Sequence, residues 1–181
     1  MKDILVKTVM IPLSNYVTIK TDNTLYDVFQ ILEKNKSAGN HAHRDAMVVD
    51  DNGDFKGKVT MLDIFKTLEP NYNKLFKNYE GGTLTKDFVM NGVRDFNLWL
   101  EPIHNMCERG AGIKVSEIMN TPEEYEYLQE DDSLEKALHE YVIGVHQPLI
   151  VKNGDKVTGI LRFGDLFEVV RDQMLSCPLP K

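Results

Sequence analysis

Gly57-Lys58-Val59-Thr60-Met61-Leu62-Asp63-Ile64-Phe65 returns near the end of the chain as Gly159-Ile160-Leu161-Arg162-Phe163-Gly164-Asp165-Leu166-Phe167. The glycine, the aspartate and the final apolar pair keep their spacing, while Arg162 stands where the first copy has Thr60. Each copy follows an apolar run and a polar turn, Met47-Val48-Val49-Asp50-Asp51-Asn52-Gly53 in the first and Leu149-Ile150-Val151-Lys152-Asn153-Gly154 in the second. Apolar runs either side of an Asn-Gly-type turn read as paired strands. An aspartate at the head of the next apolar stretch reads as the mouth of a helix. Both copies therefore predict strand, turn, strand, helix.

The repeat reaches further upstream. Val6-Lys7-Thr8-Val9-Met10 is echoed by Val115-Ser116-Glu117-Ile118-Met119, and Thr24-Leu25 by Ser133-Leu134, both at a shift of 109. From Asp63 to Asp165 the shift is 102, so the first copy carries seven more residues, which the loop-like stretch Asn35–Asp45 can hold. Self-similarity over this length points to two copies of one domain, not to the short units of a solenoid. Each copy reads as a Met-ended lead-in, then a short strand, Tyr16–Lys20 or Tyr125–Gln129. A helix follows, with Leu25, Val28, Phe29, Ile31 and Leu32, or Leu134, Ala137, Leu138, Tyr141 and Val142, at helical spacing. Thr24 and Asp132 or Ser133 suit the N-cap, and Asp132 with Glu135 resembles a capping box. The last helix spans Leu62–Leu68 or Gly164–Leu175. The expected fold class is α/β (α+β), with βαββα repeats at 1–68 and 113–181 around an insert at 69–112.

That insert predicts helices over Asn71–Tyr79 and Leu84–Cys107, with Pro102 kinking or ending the second. Phe88, Phe96, Leu98, Trp99 and Leu100 give it more apolar surface than a solvated linker carries. It reads as a helical pad completing the core, or as a dimer or partner surface.

Composition bounds the function. With 42% apolar and 27% charged residues the 181-residue chain reads as soluble and globular. A net charge of -7 argues against a general nucleic-acid binder, which needs a basic face. The sequence lacks an apolar run of the roughly 18 residues that span a bilayer. Asp3 and Lys7 interrupt the N-terminal apolar stretch, so a signal-peptide layout is not expected. Cys107 and Cys177 make neither a disulfide framework nor a metal-ligand pair. A cytoplasmic protein is the expectation. Catalytic signatures such as a Ser-His-Asp elbow or a Gly-Lys-Ser phosphate loop are missing. His41 and His43 could share a metal, or with Arg44 face a phosphate, but a solvated loop is the commoner outcome. The acid run Glu123, Glu124, Glu126, Glu130, Asp131 and Asp132 reads as a solvated face.

Two βαββα copies, each ending in Gly-apolar-x-(Thr or Arg)-x-x-Asp-apolar after a Met-ended lead-in, resemble a tandem pair of cystathionine-β-synthase-type (CBS) domains, a Bateman module. The resemblance covers nearly the whole chain apart from the insert. It implies repeats related by a pseudo-two-fold axis and clefts between them for AMP, ADP, ATP or S-adenosylmethionine. It also implies a homodimer of modules and a non-catalytic regulatory role directed at a separate effector protein. The only small molecule it implies is the adenine nucleotide, as regulatory ligand rather than cofactor. In this chain it assigns Asp63 and Thr60 to the ribose of a first site, with Val17, Thr18, Ala46, Met47 and Val48 around the base. To a second site it assigns Asp165, Arg162, Tyr127, His146, Pro148 and Leu149. The chemistry agrees, since a carboxylate at a helix mouth can accept both hydroxyls of a ribose diol. Arginine cannot accept a hydrogen bond, so Arg162 fills the ribose pocket, pairs with Asp165 or reaches a phosphate as a planar fork. The competing reading is a structural dimerisation or adaptor module with empty clefts. Ile64, Phe65, Leu68, Leu166, Phe167 and Val170 are the expected outward apolar positions of a dimer.

Overall fold

The computed structural model of the chain describes residues 4–37, 43–77, 85–99 and 103–177. In chain order its elements are β1 (Ile11–Pro12), β2 (Thr18–Lys20), α1 (Leu25–Ser37), β3 (Ala46–Val49), β4 (Phe55–Val59) and α2 (Met61–Leu68). The insert supplies α3 (Asn71–Lys77), α4 (Lys86–Asp95) and α5 (Ile103–Ala111). Then come α6 (Val115–Ile118), β5 (Tyr127–Gln129), α7 (Leu134–Ile143), β6 (Leu149–Asn153), β7 (Lys156–Leu161) and α8 (Phe163–Ser176). This is a mixed α+β fold containing βαββα twice. Six of the seven extra residues of the first copy fall between the start of α1 and the start of β3, three of them in a longer helix, 13 residues in α1 against 10 in α7. The seventh is not in 35–45 but in the β3–β4 turn, where the paired Val49 and Phe55 stand one residue further apart than Lys152 and Val157. Among the described residues no helix is long and apolar enough to cross a membrane.

The chain divides into two compact units, Val17–Asn120 and Met1–Tyr16 with Thr121–Lys181. In the first, β3 lies between a parallel β2 and an antiparallel β4, with Thr18 opposite Met47 and Ala46 opposite Val59. A parallel neighbour requires a crossover, which α1 provides. A capping box starts that helix: Asp27 Oδ2 accepts from the Thr24 amide at 2.7 Å and its hydroxyl at 2.9 Å. Val17, Ile19, Leu25, Val28, Ala46, Val48, Val59, Ile64 and Val115 form the core. The insert joins this unit. Leu75, Leu98 and Met106 are buried, and the buried carboxylate of Glu69 accepts from the backbone amides of Asn71 at 3.1 Å and Trp99 at 2.8 Å. Val89, Met90 and Val93 on α4 stay exposed.

The predicted helix Leu84–Cys107 is not continuous: α4 ends at Asp95, and Asn97 and Trp99 adopt positive φ before α5 begins. The backbone thus turns away from the helical region ahead of Pro102, a residue that, like Leu100, lies outside the described residues.

The second unit carries a four-stranded sheet in the order β1-β7-β6-β5. Its core gathers Val6, Leu128, Leu134, Ala137, Tyr141, Val145, Leu149, Val151, Leu161 and Leu166. Of the two N-cap candidates one is selected, and two other expectations change. Ser133, not Asp132, caps α7: its hydroxyl accepts from the Lys136 amide, while Asp132 accepts from the Gln129 amide. The acid run is not wholly solvated, for Glu126 is only 2% exposed and folds back to accept from the Glu123 amide. Of the expected outward positions only Phe65 and Phe167 are exposed: Ile64 and Leu166 point into the cores, Leu68 packs against one and Val170 is half-buried, while Met61, Leu62 and Phe163 are exposed instead.

Each lead-in packs on the hairpin of the other repeat. Ile11 and Pro12 pair with Ile160 and Gly159, whereas Asn120, beyond Met119, bridges to Lys58. The opening glycine of each repeated stretch lies at these crossings. A Cβ at Gly159 would stand 2.7 Å from Met10 Sδ and 2.9 Å from the Ile11 carbonyl oxygen. One at Gly57 would stand 2.6 Å from the Asn120 carbonyl oxygen.

Candidate functional site

The strand-to-helix turn after β4 brings Thr60 and Asp63 together. Thr60 is extended at the N-cap, and one turn of helix later Asp63 reaches back to it. Asp63 Oδ2 accepts from the Thr60 amide at 2.9 Å and from its hydroxyl at 2.6 Å. The Asp63 amide closes the capping box on Thr60 Oγ1 at 3.4 Å. A carboxylate offers about four acceptor positions, of which the two Thr60 donors use two. The helix N-terminus adds partial positive charge to the same turn.

The matching turn after β7 is built differently. Arg162 occupies the N-cap position of α8 without a side-chain cap, and its guanidinium forks onto Asp165. Nε donates to Oδ2 at 2.7 Å and Nη2 to Oδ1 at 2.6 Å. Both side chains are 23% exposed. Of the outcomes open for Arg162 at the sequence level, pairing with Asp165 is the one this geometry displays.

The remaining candidates fall into two kinds. Val17, Ala46 and Val48 belong to one core and Leu149 to the other, while Met47 and Pro148 are also buried. A ligand would meet these residues mainly through their backbone. Thr18 is half-buried and lines a groove of about 490 Å³ with Lys20, Asn23, Asp27 and Lys34. At the equivalent place in the second repeat, Tyr127 lines a groove of about 510 Å³ with Gln129, Lys136 and Lys152. The Lys152 ammonium sits over the Tyr127 ring, 3.4 Å from its centroid. Burial, and then the charge of Glu126, push the Tyr127 phenol up, so it stays protonated as a donor at neutral pH. His146 places Nδ1 4.0 Å from the buried Glu126 Oε1.

The loop hypothesis is answered in part. His41 lies outside the described residues, while His43 and Arg44 line a groove of about 420 Å³ with Phe29, Met61 and Phe65. Among the described residues no group of three or more His, Cys, Asp or Glu could hold a metal.

Two residues near the turns were not legible. Tyr141 donates its hydroxyl to the Leu161 carbonyl and accepts from the Leu149 amide at 3.1 Å, joining two residues paired across β6 and β7. Its apolar helical position is visible in sequence, but not its polar reach; the only signal is that Leu32 stands at the same place in the first copy. Lys58 is fully buried in β4. The apolar Ile160 at the equivalent position of the second copy was the available sign.

With this geometry in view, comparison with known proteins is specific about kinship. The profile of the CBS domain family matches residues 6–70 and 115–172. The plant protein CBSX2 of Arabidopsis thaliana has a similar fold, with 18% identity and a TM-score of 0.60 over 96% of this chain and 98% of that one. CBSX2 has also been solved in complex with AMP, where the TM-score is 0.59 over 94% and 98%. A CBS domain-containing protein of unknown function from Bacillus anthracis is 22% identical, with a TM-score of 0.62 over 95% and 96%. The CBS domain of a bacterial CNNM/CorC family Mg2+ transporter, solved with ATP, is 17% identical, with a TM-score of 0.57 over 94% and 89%. No curated protein sequence matches the chain.

Proposed function

The chain belongs to the CBS domain family, and on that premise we propose that it is a regulatory module that binds an adenosine-containing ligand and passes the occupied state to a separate protein. The ligand is AMP, ADP, ATP or S-adenosylmethionine. The module itself is non-catalytic and works as a homodimer. One observation carries the reading: at the mouth of α2 a carboxylate and a hydroxyl, Asp63 and Thr60, meet with 2.6 Å between them. An acceptor that takes two hydroxyls at once is what a ribose diol requires. Support also comes from relatives of the same fold solved with AMP and with ATP.

In this reading Asp63 and Thr60 hold the ribose, and the backbone of Val17 and of Ala46 to Val48, with the Thr18 side chain, reads the base. Signalling follows if ligand favours one conformation of the module over another, because a ligand shifts an equilibrium only by its differential affinity. Calorimetric titration of the full chain with AMP, ADP, ATP and S-adenosylmethionine tests it. Saturable binding of at least one ligand is expected, with loss of affinity in Asp63→Ala. Failure of all four to bind would leave the adaptor with empty sites as the better account.

A further inference from the structure

We propose that the Arg162–Asp165 pair closes the second repeat to nucleotide, so the chain takes one adenine nucleotide at the Thr60–Asp63 turn and none at its counterpart. The residue at the Thr60/Arg162 position then decides occupancy. This inference rests on the reading of Asp63 as the ribose acceptor.

The two turns differ in what the N-cap residue gives the carboxylate three residues on. At Asp63 the donors from Thr60 are a neutral amide and a neutral hydroxyl, both on Oδ2. At Asp165 each oxygen takes a nitrogen of one guanidinium, at 2.7 and 2.6 Å. Charge-assisted bonds of this bidentate kind are roughly twice as strong as neutral ones. A ribose diol offers neutral donors, so it exchanges poorly against the fork. The arginine also removes the hydroxyl acceptor that Thr60 provides in the first repeat.

The turn that carries Arg162 is anchored on both sides. The preceding residue, Leu161, has its carbonyl held by the Tyr141 hydroxyl. The following residue, Phe163, packs against the Tyr141 ring with centroids 5.0 Å apart and planes tilted by 40°. That hydroxyl also occupies the amide of Leu149 at 3.1 Å, a residue the family resemblance places at the second site. The first repeat has Leu32 at the position of Tyr141 and so lacks this hydroxyl. The second repeat thus satisfies internally the Asp165 carboxylate and the Leu149 amide.

Isothermal titration of the full chain with AMP, and separately with ATP, reads the stoichiometry. Wild type should bind one nucleotide per chain and Arg162→Thr two. Asp63→Ala should weaken binding ten-fold or more, and the double variant Asp63→Ala/Arg162→Thr should recover one site. Two sites in wild type with either nucleotide, or full-affinity binding by Asp63→Ala, overturns the inference. The two-site result with ATP alone would also be the signature of Arg162 swinging to a phosphate. A folded Arg162→Thr that still binds one nucleotide removes Arg162 from its assigned role. Should that variant not fold, wild type against Asp63→Ala decides by itself. Two wild-type sites reduced to one by Asp63→Ala sinks this inference and leaves the ribose reading standing; no binding by any variant sinks both.

Discussion

Asp63 closes a helix with the same carboxylate that is proposed to hold a ribose. Both roles use Oδ2 and its partners at Thr60, so a single substitution can separate them only by degree. Asp63→Ala removes the capping box and should lower stability by about 0.5–2 kcal/mol in urea denaturation. It should also lower nucleotide affinity by roughly ten-fold or more, since each charged hydrogen bond lost is worth about 1.5–3 kcal/mol. Asp63→Asn keeps an oxygen for the Thr60 donors and should keep most of the stability, while losing the charged acceptor. Equal affinities for wild type and Asp63→Ala would falsify the ribose assignment. In the second repeat the corresponding effect is structural. Arg162→Ala strips Asp165 of both its guanidinium bonds. With each partner only 23% exposed the fork is part-buried, so the expected loss is about 1.5–3 kcal/mol, the range for a hydrogen bond to a charged group.

At the scale of the element, the opening glycine of each repeated stretch marks a close crossing of two backbones. Gly159→Ala places a methyl group 2.9 Å from the Ile11 carbonyl oxygen, and Gly57→Ala places one 2.6 Å from that of Asn120. Met10 Sδ can swing aside, but a strand carbonyl cannot. Each substitution should cost about 1–3 kcal/mol, and an unchanged urea midpoint would count against the crossing. The capping box of α1 makes a different prediction. The Thr24 amide, then its hydroxyl and the Asn23 side chain, hold the Asp27 carboxyl below its ordinary value. A depressed folded pKa stabilises above the unfolded value near ~3.9 and loses that contribution as pH falls through the folded pKa. Urea midpoints of wild type should therefore decline more steeply than those of Asp27→Asn below about pH 4. Parallel profiles for the two proteins would exclude the linkage.

At the scale of the whole molecule, the exposed apolar side chains bear on assembly. Phe65 is 49% and Phe167 58% exposed, each at the first turns of the last helix of its repeat, with Met61, Leu62 and Phe163 beside them in sequence. Apolar surface at equivalent places on both repeats fits the proposed homodimer better than scattered single residues would. Sedimentation equilibrium at micromolar concentration should show twice the 20.7 kDa chain mass, and the Phe65→Glu/Phe167→Glu variant should shift the population to the single chain. A wild type found only at the chain mass would end that proposal.

What the sequence determined by itself is the local structure of each repeat. Hairpins, helix mouths and helical faces follow from period, turn glycines and caps, all of which act within a few residues. Pattern also exposed Arg162 as the point where the copies part, while leaving its partner open. The tertiary structure decided the long-range matters. Glu126 and Lys58 are charged in sequence yet buried, because burial depends on what packs over a residue as well as on its own polarity. Tyr141 looks like an ordinary core position until its hydroxyl meets Leu149 and Leu161. Above all, the lead-ins cross over: Met10 lies at Gly159 and Met119 at Gly57. Two similar lead-ins and two similar hairpins satisfy the same pattern whether each pairs within its own copy or with the other. Local periodicity is blind to that choice, and only packing across more than 100 residues of chain, as between β1 and β7, could make it.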